Sequence, residues 1–136
     1  MVKLRLLHSV AKWLFVISLA LLLLTASIGM VASSRAFYRY GFEKYDVGRS
    51  TGLDRTELYK VADGLVSYFS SGEAYISLTV TREDQTFELF NEKEIMHLKD
   101  VKGLLRLNCG IMLGTLIYAI IYSGICLLQR RWHLSP

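Results

Sequence analysis

The chain of 136 residues holds two cysteines, one proline and three histidines. Both cysteines, Cys109 and Cys126, fall inside one apolar run, and seventeen helical steps set them roughly 25 Å apart. They cannot bridge each other within one helix, so neither a disulfide framework nor a thiolate metal site is expected. The proline is the last residue, and no internal repeat or low-complexity tract occurs. Gly-rich phosphate loops, a nucleophile elbow and a cysteine pair are all missing. Any reaction here must therefore use a histidine, without an evident serine or cysteine nucleophile. Acids are absent outside the stretch from Glu43 to Asp100. The net charge of +4 sits mainly on the two tails and gives no reason to invoke nucleic acid.

What the chain does have is apolar sequence in two blocks. Apolar residues make up 52% of it, with a mean hydropathy of +0.32. The first block, LFVISLALLLLTASIGMVA (Leu14–Ala32), carries no charge. It has about the length that crosses ~30 Å of hydrocarbon. The second, LNCGIMLGTLIYAIIYSGICLL (Leu107–Leu128), is uncharged too, with Arg106 placed to snorkel outward. Lys3, Arg5 and Lys12 precede the first block, and Arg130 and Arg131 follow the second. The positive-inside rule then puts both termini in the cytoplasm and the middle outside, with Trp13 and Trp132 at the inner interface. A signal peptide is the rival for the first block, since TASIGMVASS offers small residues after an apolar run. The run outlasts a usual h-region, and we read it as a retained anchor. GIMLG (Gly110–Gly114) is a small-xxx-small pair that marks close packing on the first span or on a helix outside this chain.

The intervening segment reads as a helix, a hairpin and a stem. Asp54 is a good N-cap, Glu57 completes a capping-box pattern, and Leu53 with Leu58 forms a hydrophobic staple. Leu58, Val61, Ala62, Leu65 and Phe69 then recur at helical spacing, with Gly72 as a stop. In AYISLTVT, Ile76, Leu78 and Val80 alternate with polar residues as in a half-buried strand. REDQ makes a turn, and TFELF returns. Asn91 and Glu94 offer a second cap, opening a helix that runs through His97 into the second block. So few residues bury only a small core.

The fold class expected is thus an α-helical integral membrane protein, with two transmembrane helices and a small α+β extracytoplasmic cap. Its parts are a basic cytoplasmic tail (1–13), a first span (14–32), the cap (33–106), a second span (107–128) and a second basic tail (129–136).

His97 is the one histidine on the outer side; His8 and His133 lie in the basic tails. Glu94 and Asp100 stand three residues to either side and so share its helix face. A carboxylate fixes the imidazole tautomer, and imidazole suits proton transfer near neutral pH. A solvated histidine in a charged stem has the same spacing, and the residues leave both readings standing. One histidine with nearby acids lacks the second nitrogen ligand that a metal site wants, so neither metal nor cofactor is expected. YRYGFEKYDV (Tyr38–Val47) fits an interfacial aromatic belt or a lipid-facing wall of a site.

TGLDRTELYKVADGLVSYF, followed by FNEKEIMHLKDVK running into an apolar span, resembles the lipoprotein intramolecular transacylases, integral membrane proteins of Gram-positive bacteria. The resemblance extends from about Tyr38 to the end of the second block, and HLKDVK (His97–Lys102) is its most specific part. It implies a bacterial cell-membrane enzyme that moves an acyl chain from the diacylglyceryl group of a lipoprotein to the amine of its N-terminal cysteine. His97 matches a catalytic histidine, acting as base toward the amine or acid toward the glyceryl oxygen. Asp100 matches the acid of the same motif and would orient it. The implied partners are membrane lipids and the lipidated N-terminus of lipoproteins. The resemblance also implies a four-span bundle with a second active-site histidine, whereas this sequence ends at QRRWHLSP, with His133 on the cytoplasmic side. The expectation is a truncated member, a half that pairs with another copy or a complementary chain, or a shortened relative without catalysis. A non-catalytic membrane protein whose outer cap binds a partner or envelope ligand is the alternative from another class.

Overall fold

The computed structural model describes the backbone of residues 2–133 and the side chains of residues 6–129. The side chains of Lys3, Arg5, Arg130, Arg131, Trp132 and His133, which the tail and interface assignments invoke, lie outside it, as do residues 134–136. The order of elements is α1 (Val2–Ala32), α2 (Arg35–Lys44), α3 (Val47–Thr51), α4 (Arg55–Ser70), β1 (Thr79–Arg82), β2 (Gln85–Glu88) and α5 (Glu92–His133). They form two compact units: the chain up to Ile28 together with that from Leu107 onward, and the middle, Gly29–Arg106.

The first unit is a pair of helices. Both α1, over Leu6–Ala32, and α5 are long and apolar enough to cross a membrane. Asn108 donates from Nδ2 to the Thr25 carbonyl at 2.9 Å, and the Tyr118 hydroxyl donates to the Ala11 carbonyl at 3.0 Å. Phe15 stacks on Tyr122 with centroids 4.6 Å apart. From Asn108 to Tyr118 and Tyr122 on α5 the partner moves from Thr25 back to Ala11 and Phe15 on α1, so the pair is antiparallel. Little else is covered: Leu23 is 72% exposed, Ile120 63% and Leu127 64%. Apolar surface on this scale is not kept in water, and lipid is the medium that suits it. Gly110 and Gly114 face open space, with no atom near enough to meet an added Cβ. Of the two partners considered for the small-residue pair, α1 is therefore excluded.

The middle unit is built around α4. Asp54 caps it as expected, its Oδ1 accepting from the Glu57 amide at 2.8 Å. The reciprocal half of the box does not form. The Glu57 carboxylate instead accepts from the Thr81 amide at 2.9 Å, tying the hairpin to the helix start. Leu53, Leu58, Val61 and Val80 make the core, with Phe42, Val47, Leu65, Leu78, Phe87 and Leu89 packed round it. Each fully buried aliphatic side chain contributes about 1.5–3 kcal/mol, so this core is small but sufficient to fix the unit's arrangement.

In the hairpin, Val80 pairs with Phe87 and Arg82 with Gln85. The ladder starts later than AYISLTVT suggests, at Thr79. The inward alternation is nonetheless kept, with Ile76 and Val80 buried and Leu78 half-buried. Glu83 (φ 51°) and Asp84 (φ 63°) are both left-handed, the pattern of the tight hairpin turn that matches strand twist. The sequence reading assigned no helix to residues 35–51, where α2 and α3 stand. Ser34 caps α2 by accepting from the Phe37 amide at 3.2 Å. The inner side of α2 is secured by Arg39, which donates to both Asp63 oxygens at 3.0 and 3.2 Å and stacks on Tyr59. The Tyr59 hydroxyl donates to Glu43 at 2.6 Å. That bond raises the Tyr59 pKa, because the carboxylate prefers the protonated phenol. Phe37, Tyr40 and Tyr45 remain exposed.

Candidate functional site

At the start of α5 a reciprocal capping box closes. Asn91 Oδ1 accepts from the Glu94 amide at 3.0 Å, and the Glu94 carboxylate accepts from the Asn91 amide at 2.8 Å. Two of the helix's orphan donors are thereby satisfied, and the first turn is rigid. This turn forms one wall of a pocket of about 410 Å³, lined by Phe90, Asn91, Lys93, Glu94, His97 and Leu98. The volume lies within the range of small-molecule sites. His97 is exposed to solvent at its edge, one turn inside the helix. Its surroundings mix an apolar wall, Phe90 and Leu98, with a polar rim from Lys93 and the capping pair. Such a lining presents both apolar and polar surface to a ligand.

Of the candidate residues, His97 and Glu94 come together in this pocket, while Asp100 is exposed and does not line it. Among the described residues neither carboxylate hydrogen-bonds to His97: Glu94 is engaged by the Asn91 amide, and Asp100 makes no side-chain bond. The imidazole is left accessible, both nitrogens free to meet an incoming group. Also among the described residues, no three His, Cys, Asp or Glu side chains gather to hold a metal ion.

A second side of the same helix was not anticipated. Lys102 is 3% exposed although it is a lysine. Its Nζ donates to Ser71 Oγ at 3.0 Å and to the Glu73 carbonyl at 2.8 Å, and lies 4.0 Å from the centre of the Tyr68 ring. Lys99 donates to the Tyr75 hydroxyl at 3.2 Å, and Arg106 to the Ser71 carbonyl at 3.4 Å. Ser71 follows the last residue of α4, so Lys102 and Arg106 meet the negative end of that helix. Burial pushes the Lys102 pKa down, the Arg106 charge pushes it the same way, and Glu73 opposes both. The 99, 102, 106 spacing marks one helix face in the sequence. That a loop would close over it is a long-range fact that the spacing does not carry.

The model of the family described as lipoprotein intramolecular transacylase Lit matches residues 13–135. No curated protein and no solved structure matches the chain.

Proposed function

The chain belongs to the lipoprotein intramolecular transacylase family, and from that premise we propose that it transfers an acyl chain within a lipidated lipoprotein N-terminus, with His97 as its acid–base group. The observation that carries this reading is the pocket at the start of α5, where His97 borders an apolar wall of Phe90 and Leu98. The apolar wall accommodates the start of the acyl chain, and the imidazole meets the polar atoms that react.

The chemistry balances without water or a protein nucleophile. The cysteine amine attacks the ester carbonyl carbon, forming the C–N bond. His97 takes the proton that the amine must lose. The bond from the carbonyl carbon to the glyceryl oxygen then breaks, and His97 returns the proton to that oxygen. The products are an N-acyl cysteine and a free glyceryl hydroxyl on the same molecule. Positioning two groups of one substrate lowers the barrier further, since no second reactant has to be captured. Asp100, one turn along, acts through the electrostatic support it gives an imidazolium.

The topology that suits this reaction puts the middle unit outside the cell and both termini in the cytoplasm. Its support is the confinement of every acid to Glu43–Asp100, between basic flanks. Membrane lipids and lipoprotein N-termini are the corresponding partners.

The test is tandem mass spectrometry, whose fragment ions place the acyl groups, on lipoprotein N-terminal peptides from a host that makes only diacyl forms, carrying this chain, its His97→Ala variant or an empty vector. An N-acyl, monoacylglyceryl form present only with the intact histidine is the expected result. Its equal presence with His97→Ala removes His97 from the mechanism. Its absence with well-inserted chain overturns catalysis by this chain alone.

A further inference from the structure

Lys99, Lys102 and Arg106 stand at positions i, i+3 and i+7 of α5 and share one face. Arg82, elsewhere on the middle unit, is likewise held by a carbonyl and an aromatic ring, but it stands alone, whereas four other cations of the unit pair with carboxylates. Arg39 and Arg35 both pair with Asp63, at 3.0 and 3.7 Å. Arg55 pairs with Glu43 and Lys60 with Glu57, each at 3.5 Å. Among the described residues, none of the three α5 cations forms an ion pair with a carboxylate. They are held by neutral groups instead: Ser71 Oγ, the Ser71 and Glu73 carbonyls, the Tyr75 hydroxyl and the Tyr68 ring. These neutral partners do not cancel the positive charge; Arg106 and Lys102 repel each other, and the Glu73 charge offsets this only at Lys102.

Uncancelled charge on a rigid platform favours an anion, and the chain itself indicates which kind. Immediately after Arg106, α5 continues into the uncharged run Leu107–Leu128. A cation at the last charged position before a run of hydrocarbon length lies at the depth of lipid phosphates. Arg106 uses one donor on the Ser71 carbonyl, and the rest of its guanidinium fork suits a phosphate. Lys99 is likewise exposed, with one donor used on Tyr75.

We propose that this face is an anionic phospholipid site, in which Arg106 and Lys99 bind the headgroup phosphate and buried Lys102 fixes the platform that presents them. The proposal does not depend on the acyl-transfer reading, whose residues lie around the pocket at Phe90–Leu98.

The full-length chain in nanodiscs made from equal parts of phosphatidylglycerol and phosphatidylcholine provides the test. Native mass spectrometry after release from the disc counts which lipid stays bound. The expected result is preferential retention of phosphatidylglycerol. Lys99→Gln with Arg106→Gln lowers that preference roughly tenfold or more, because both substituted side chains are exposed and the fold survives. Lys3→Gln with Lys12→Gln removes the same charge from the N-terminal tail and leaves the preference within about twofold. Equal retention of the two lipids by the unaltered chain overturns the proposal. So does a loss in the tail variant that matches the loss in the α5 variant.

Discussion

Two faces of the first four or so turns of α5 meet opposite surroundings. On one, His97 borders an open pocket and has no carboxylate bonded to it. On the other, Lys102 is sealed under the Ser71–Tyr75 loop with its ammonium fully engaged. They stand five positions apart on one rigid rod. An imidazole that must exchange protons with a visiting substrate gains from access. An ammonium that holds two segments together gains from burial, provided that carbonyls and an aromatic face replace the water it gave up. Under the proposed role of His97, location on the helix surface, more than residue type, divides reaction from scaffolding.

The sharpest way to break this comparison is to substitute each side separately. His97→Ala should lower acyl transfer by about 10²–10⁴-fold, the usual contribution of a positioned acid–base group. It should leave amide exchange in the Ser71–Tyr75 loop unchanged. Lys102→Met should do the reverse at the loop. The Glu73 amide, which donates to Ser71 Oγ, should exchange roughly tenfold faster or more, because Ser71 loses the ammonium that held it in place.

Lys102 also gives the contrast a pH signature. Its pKa in the folded chain lies below the ordinary lysine value of 10.5. Between the two values the unfolded chain binds more protons, so this residue makes stability rise with pH across that window. The stability so gained is fully present above 10.5 and is lost as pH falls through the folded value. Thermal unfolding in detergent should show that rise for the unaltered chain, and Lys102→Met should flatten it.

Smaller effects sharpen the pocket side and the hairpin. Asn91→Ala removes half of the capping box beside His97 and should cost about 1 kcal/mol, read as an earlier thermal transition. Replacing Glu83 with Asn and Asp84 with Gly puts residues that favour left-handed backbone into the turn. That pair should raise stability by about 0.5–1 kcal/mol.

Local chemistry made much of this legible in the sequence. Asp54 and Asn91 as caps, the two long apolar helices, the inward set Ile76, Leu78 and Val80, and the continuity of the His97 helix with the second apolar block are all short-range patterns. What escaped was decided by distant partners. The capping box at Asp54 looked complete, but Glu57 is drawn off by the Thr81 amide, twenty-four residues away. The helices over residues 35–51 depend on Asp63 and on Phe42 reaching the core, and aromatic density alone gave no period for them. At the site, the Glu94–His97–Asp100 spacing suggested a carboxylate on the imidazole. The Asn91 amide has the prior claim on Glu94, being a helix-end donor with no partner inside the helix. Lys102 looked like one more charge in a charged stem, since burial of a lysine depends on a loop that its own neighbours do not announce. The family resemblance, by contrast, rested on contiguous residues, and the family match over 13–135 bears it out.

One measurement bears most directly on the role of the open face. The purified chain, in nanodiscs, is given a synthetic diacylglyceryl-cysteine peptide, and the peptide mass after mild alkaline hydrolysis, which removes ester-linked but not amide-linked acyl chains, reports where the acyl chain sits. The account predicts that acyl groups move from glyceryl oxygen to cysteine nitrogen with the unaltered chain and with Lys102→Arg, and stay in place with His97→Ala. Transfer at the same rate with His97→Ala, or none with the unaltered chain, would contradict it.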